Sequence, residues 1–161
     1  MPVSSATGFA ADQQIAGEVH ARVETAHLLT RRGRIDDAVP ELERARHLAE
    51  MLGSDLLVAE VDVGTARLAL SRAEYGKALE LLLGAERIAI PGGPASLQSG
   101  TLSTLGHVYW ALGMFHRGIE VYSAEAEILA RIGDTFELAS PRYNVALLAG
   151  RLLWSGQIER D

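Results

Sequence analysis

The sequence predicts an all-α protein, a right-handed superhelical array of antiparallel helix pairs (an α-α solenoid). Three observations predict it. Gly53, Gly93 and Gly133 stand 40 residues apart, and a second series, Gly33, Ala73 and Gly113, lies twenty residues before each of them. Two residues after each member of the second series comes a large apolar side chain (Ile35, Tyr75, Phe115), and three residues later a small one (Ala38, Ala78, Gly118). The stretches between these punctuation points carry apolar stripes at helical spacing. Self-similarity at such a period marks a repeat array. Stacked helix pairs offer an extended curved surface rather than a closed catalytic pocket.

The elements follow in order. Residues 1–11 are small and polar and read as a flexible lead, with Asp12 as the cap of a first helix over 13–32. Gly33 turns the chain into a second helix over 35–52, with Pro40 in its first turn, where a missing N–H costs little. Its stripe is Ile35, Ala38, Leu42, Ala45, Leu48 and Ala49. Gly53 and the cap Ser54 open a third helix over 55–72. The fourth, over 75–90, repeats the stripe as Tyr75, Ala78, Leu82, Ala85, Ile88 and Ala89. Pro91-Gly92-Gly93-Pro94 is the clearest break. A fifth helix is expected over 95–112 and a sixth over 115–132, with the stripe Phe115, Gly118, Tyr122, Ile128 and Leu129. Gly133 and the cap Asp134 lead to a seventh over 135–154, which starts late or kinks at Pro141. Turn glycines supply positive φ without a Cβ penalty, and small residues among large ones let helices approach closely. The units fall at 13–52, 53–92, 93–132 and 133–161, the last incomplete.

Composition narrows the function. The chain has 161 residues, enough for one domain with a core, and 48% are apolar, as in ordinary globular proteins. A formal net charge of -6 disfavours nucleic acid and anionic membranes as partners of this domain. There is no cysteine, which removes disulfides, thiolate nucleophiles and thiolate metal sites. No signal-peptide pattern opens the chain and no apolar run approaches the ~20 residues of a membrane span. A cytoplasmic protein is expected.

The enzyme case is thin. Phosphate-loop, dinucleotide, zincin and nucleophile-elbow motifs are all missing. His20 and His27 share a helix face, but no further ligand lies near in sequence, so they read as solvated or edge-packed and no metal is expected. Asp36 and Asp37 sit where they meet a helix dipole favourably and have no visible acid–base partner. No catalytic residue and no cofactor is expected.

These positions resemble the tetratricopeptide repeat. Its unit is a helix-turn-helix with a small residue midway along the first helix, a turn glycine, and small residues around an aromatic on the second. The third unit matches best: Leu105-Gly106, the aromatic Tyr109, the turn Gly113, then Phe115, Gly118 and Tyr122. The small site of the first helix recurs as Ala26, Ala66, Gly106 and Ala146. The resemblance covers about residues 13–161. A period of 40 rather than about 34 is similar to the long-repeat members of bacterial regulators. The second small site is Ala45 and Ala85 but Glu125 in the third unit, flanked by Ala124 and Ala126, so a slight helix rotation is expected there.

The resemblance implies a concave face built from first-helix positions around the small site. Three residues before it stand Val23, Val63, Ser103 and Tyr143; one after, His27, Arg67, His107 and Leu147. Four after stand Thr30, Leu70, Trp110 and Gly150; six before, His20, Glu60, Gly100 and Ser140. Trp, Tyr and Arg often anchor interfaces. Trp110 reads equally as a ligand anchor or as packing between repeats. Val23 and His27 replace the residues that grip acidic chaperone tails, so that subclass is rejected.

A non-catalytic protein- or peptide-binding module is therefore expected, the N-terminal sensory or regulatory part of a larger bacterial signalling protein. By analogy with its long-repeat relatives, it would regulate a cyclic-dinucleotide synthase or a transcription regulator. Gly156-Gln157-Ile158 resembles the opening of the second helix, Gly33-Arg34-Ile35. A further helix is thus begun and not supplied, which suggests a segment of a longer chain. The alternative is a homodimer through an open face carrying Leu148, Leu152, Leu153 and Trp154.

Overall fold

Four glycines and one alanine adopt positive φ, and each of the five ends a helix: Gly33 (φ 75°), Gly53 (62°), Ala73 (58°), Gly113 (71°) and Gly133 (74°). The computed structural model describes residues 4–158, with side chains from 8 to 154. The described residues form seven α-helices and no strand: α1 (Ser4–Arg31), α2 (Ile35–Met51), α3 (Asp55–Ser71), α4 (Tyr75–Gly92), α5 (Ala95–Ala111), α6 (Phe115–Ile132) and α7 (Ala139–Ile158). The all-helical class and the order of elements agree with the sequence reading. The final residues, 159–161, lie outside the described residues.

Local chemistry accounts for the boundaries. The turn after α1 closes with Gly33 N–H donating to Thr30 C=O at 3.0 Å and Arg34 N–H to Leu29 C=O at 2.9 Å. Ala73 N–H and Glu74 N–H repeat those bonds on Leu70 and Ala69. This geometry needs a left-handed residue; Ala73 adopts it despite its Cβ. Ser54 Oγ accepts from Leu57 N–H and caps α3.

Three expectations are corrected at the helix ends. Helix α1 begins at Ser4 rather than near residue 13: residues 4–11 hold no proline, and Ala6, Ala10 and Ala11 favour helix in spite of Gly8. Gly93 is not a positive-φ turn. Helix α4 runs on through Pro91 to Gly92, and Pro94 in extended backbone precedes α5. Gly93 is small for another reason: a Cβ there would stand 2.8 Å from Ala89 O. Asp134 caps a turn, not a helix. Its carboxylate accepts from Glu137 N–H at 3.0 Å, and α7 starts only at Ala139, which places Pro141 in the first turn.

Two compact units divide the chain, Met1–Ile88 and Ala89–Asp161, with the division inside α4. In the first unit α1 packs on α2 and α3, and α2 on α3. Its core holds Val19, Val23, Ala26, Leu42, Ala45 and Val61. Gly64 lets the helices close: a Cβ there would lie 2.9 Å from Leu42 Cδ2 and 3.2 Å from Val23 Cγ1. Arg22 joins Glu18 of α1 to Glu41 of α2, and Arg46 of α2 pairs with Asp62 of α3.

In the second unit α6 packs on both α5 and α7. Tyr122, fully buried, lies against the backbone of Gly106, where an added Cβ would fall 2.4 Å from Cε1 and Cζ. Leu148 of α7 occupies the space above Gly118 (2.7 Å from the position of a Cβ). The fourth unit therefore leaves the 40-residue register: Ala146 is exposed and Leu148 is buried.

Candidate functional site

Side chains at equal places in the first and second repeats meet across α1 and α3 in the first unit. His20 Nδ1 lies 2.6 Å from Glu60 Oε1, and the two are 40 residues apart. About two turns further along, His27 and Arg67 stand close enough for the charge of one to act on the other. Burial holds the His27 imidazole below its usual range, and Arg67 and Arg31 push the same way against Glu24, 3.9 Å from the ring. Burial also lowers the Arg67 guanidinium, opposed by Glu24 and Glu60. Arginine nevertheless stays charged. The first unit thus carries a strip of polar and charged side chains on one face of α1 and α3, exposed at His20 and half-buried at Glu60, His27 and Arg67.

The row expected three residues before the small site does not line this face. Val23 and Val63 are buried in the core, 2% and 3% exposed, so neither is an open binding position. Their side chains fill the space between helices, against the tight Gly64 position in the case of Val23. Thr30 is half-buried and donates its hydroxyl to Ala26 C=O at 2.8 Å. Leu70 is half-buried.

In the second unit His107 is exposed and its ring meets Tyr122 edge-on, centroids 5.9 Å apart. Trp110 is half-buried beneath Arg151 of α7, whose guanidinium carbon stands 5.8 Å from the ring centroid. That contact serves packing between helices, one of the two roles open to Trp110. Tyr143 is 66% exposed. The self-association set divides. Leu148 is 0% exposed and belongs to the core, a correction whose reason is the gap over Gly118. Leu152 is half-buried, while Leu153 and Trp154 stand out from the helix.

Ser103 points elsewhere than an open groove. With Ser99 it serves the carboxyl of Glu125 on α6, which is 5% exposed. The Ser99 hydroxyl donates to Glu125 Oε1 at 3.1 Å, while Oε2 and the Tyr122 hydroxyl have no hydrogen-bond partner. Burial and Glu137 push the Glu125 carboxyl up to about 7, against the two serine hydroxyls. Helix α6 has not rotated to expose it: Glu125 stays on the buried stripe, and Ala124 and Ala126 flank it half-buried. The signal for Ser99 was present in the sequence. Forty residues before Ser99 and Ser103 stand Ala59 and Val63, both buried, so two apolar sites turn polar in the unit where Ala85 becomes Glu125.

Among the described residues no three His, Cys, Asp or Glu side chains converge as a metal site, and no helix is long and apolar enough to cross a membrane. A comparison with protein-family models finds no match, and a comparison with curated proteins finds none either.

Proposed function

We propose that the chain is a non-catalytic protein- or peptide-binding module of tetratricopeptide type, which serves as a regulatory part of a signalling protein. The observation that supports it most is the contact of His20 with Glu60 at 2.6 Å, one repeat apart. Equivalent places in successive units lie side by side there, so α1 and α3 offer one strip rather than scattered groups. His20, Glu60, His27 and Arg67 give that strip donors and acceptors of both signs, all but His20 partly desolvated. Such pre-organised polar groups favour specific recognition of an extended partner.

Selection of a displayed random-peptide library on the whole chain tests this. The reading expects enriched peptides whose affinity falls at least tenfold with Arg67→Glu and with His20→Ala, and little with Arg117→Glu in the second unit. Enrichment of no peptide, or equal loss at all three sites, overturns it.

A second reading has its own observation. Tyr143, Leu147 and Trp154 stand at helical spacing on α7, exposed by 66%, 37% and 57%. An apolar stripe of this kind favours self-association. It expects a dimer in light scattering that Trp154→Glu abolishes.

A further inference from the structure

The third repeat differs from its neighbours at three positions that face one another. Where the first unit has Val19, Val23 and Ala45, all buried in one core cluster, the third has Ser99, Ser103 and Glu125. The second unit keeps the apolar set as Ala59, Val63 and Ala85, each no more than 3% exposed. A buried carboxyl therefore occupies the small-residue place of α6, and hydroxyls occupy the places of α5 that serve it. A lone buried polar group is costly, but this one sits among groups able to receive it.

The cluster is incompletely satisfied. Ser99 donates to Oε1, and Oε2 is buried without a partner, as is the Tyr122 hydroxyl one turn away. A charged carboxylate with a bare oxygen in the core destabilises the helix pair, whereas the neutral acid does so far less. We propose that the third repeat holds a proton-operated latch in which a proton on Glu125 keeps α5 and α6 closed and its loss loosens them.

The groups that face the carboxyl all bear on its charge. Ser99 and Ser103 of α5 favour the anion, and Glu137 of the turn before α7 disfavours it. Tyr122 of α6 is neutral, its phenol pushed further up by burial and by Glu125, and His107 of α5 lies against the Tyr122 ring. The folded carboxyl is raised from 4.5 to about 7, so the closed pair binds the proton more tightly than the opened one. Stability from this source is complete below the ordinary carboxylate range and is lost as pH rises through that of the folded state. Opening of α5 from α6 then rises about tenfold per pH unit between about pH 5 and pH 7, and levels off above. His107 and Trp110 ride on α5, so the latch would control the side chains they present.

Two measurements on the whole chain test it. The side-chain carboxyl carbon of Glu125 is followed by NMR from pH 4 to 9, and amide exchange in α5 and α6, corrected for intrinsic rates, over the same range. The latch expects a carboxyl midpoint near neutrality, higher in Ser99→Ala and lower in Glu137→Gln. It also expects protection lost with rising pH in the wild type and not lost in Glu125→Gln. A Glu125 midpoint in the ordinary carboxylate range overturns it even if Glu125→Gln fails to fold. So does an equal pH dependence of protection in wild type and Glu125→Gln.

Discussion

At the residue scale, large and small side chains trade volume between repeats. Ala26 and Ala66 occur in units whose second helices carry Leu42 and Leu82, while Gly106 faces Tyr122. The glycine yields room for the aromatic ring, so Gly106→Ala alone is expected to cost roughly 1–3 kcal/mol by overpacking. The double variant Gly106→Ala/Tyr122→Leu restores the pair used in the other units and should recover part of that loss. Urea unfolding of the two singles and the double measures the coupling, and strictly additive losses would show that the ring and the Cβ do not compete. Ala73 supplies a second test. It holds φ 58° where its counterparts Gly33 and Gly113 are glycine. Ala73→Gly should therefore stabilise the chain by roughly 0.5–1 kcal/mol, the left-handed penalty less the entropy of glycine. Thermal unfolding of the single variant is the check.

At the element scale, α7 separates buried from exposed leucines within six residues. Leu148→Ala should cost about 2–5 kcal/mol, because it empties the space above Gly118, and Leu153→Ala, 74% exposed, should cost under about 0.5 kcal/mol. Equal losses in denaturant titrations would contradict the orientation of α7. Helices α2, α3, α5 and α6 were legible almost to the residue, because turn residues and caps fall on both sides of each. Helix α1 was underestimated because Ser4 to Ala11 offers no apolar period to read. The register of α7 was misread because the sequence shows Ala146 at the repeat position, while the turn at 135–138 shifts the buried face to Leu148. The family geometry puts Val23 and Val63 on the surface, whereas both are in the core, Val23 against the close approach that Gly64 permits. Glu125 was visible as a break in the pattern, but its burial depended on Ser99 and Ser103 changing with it.

At the scale of the whole molecule, two titrations oppose each other. The lowered His27 favours folding as pH rises through the ordinary histidine value of 6.5, since the unfolded chain then gives up the proton that the folded site excludes. Glu125 acts in the other direction, so its removal is required to see His27 cleanly. In Glu125→Gln, global stability by urea should rise between pH 5.5 and pH 7.5, and His27→Ala in that background should remove much of the rise. A fall with pH in Glu125→Gln would contradict both assignments. The net charge of -6 belongs to the same scale, since on the proposed reading it would bear on which partner the strip on α1 and α3 draws in.

On the proposed reading, α1 and α3 of the first unit present one recognition strip. The most direct test is a two-dimensional NMR titration of the isotope-labelled chain with a peptide enriched from the displayed library. Saturable shifts are expected in amides around Ala26 and Ala66, with the side-chain signals of His20, His27 and Arg67 moving together. Shifts confined to α2 or α6, or none at saturating peptide, would contradict it.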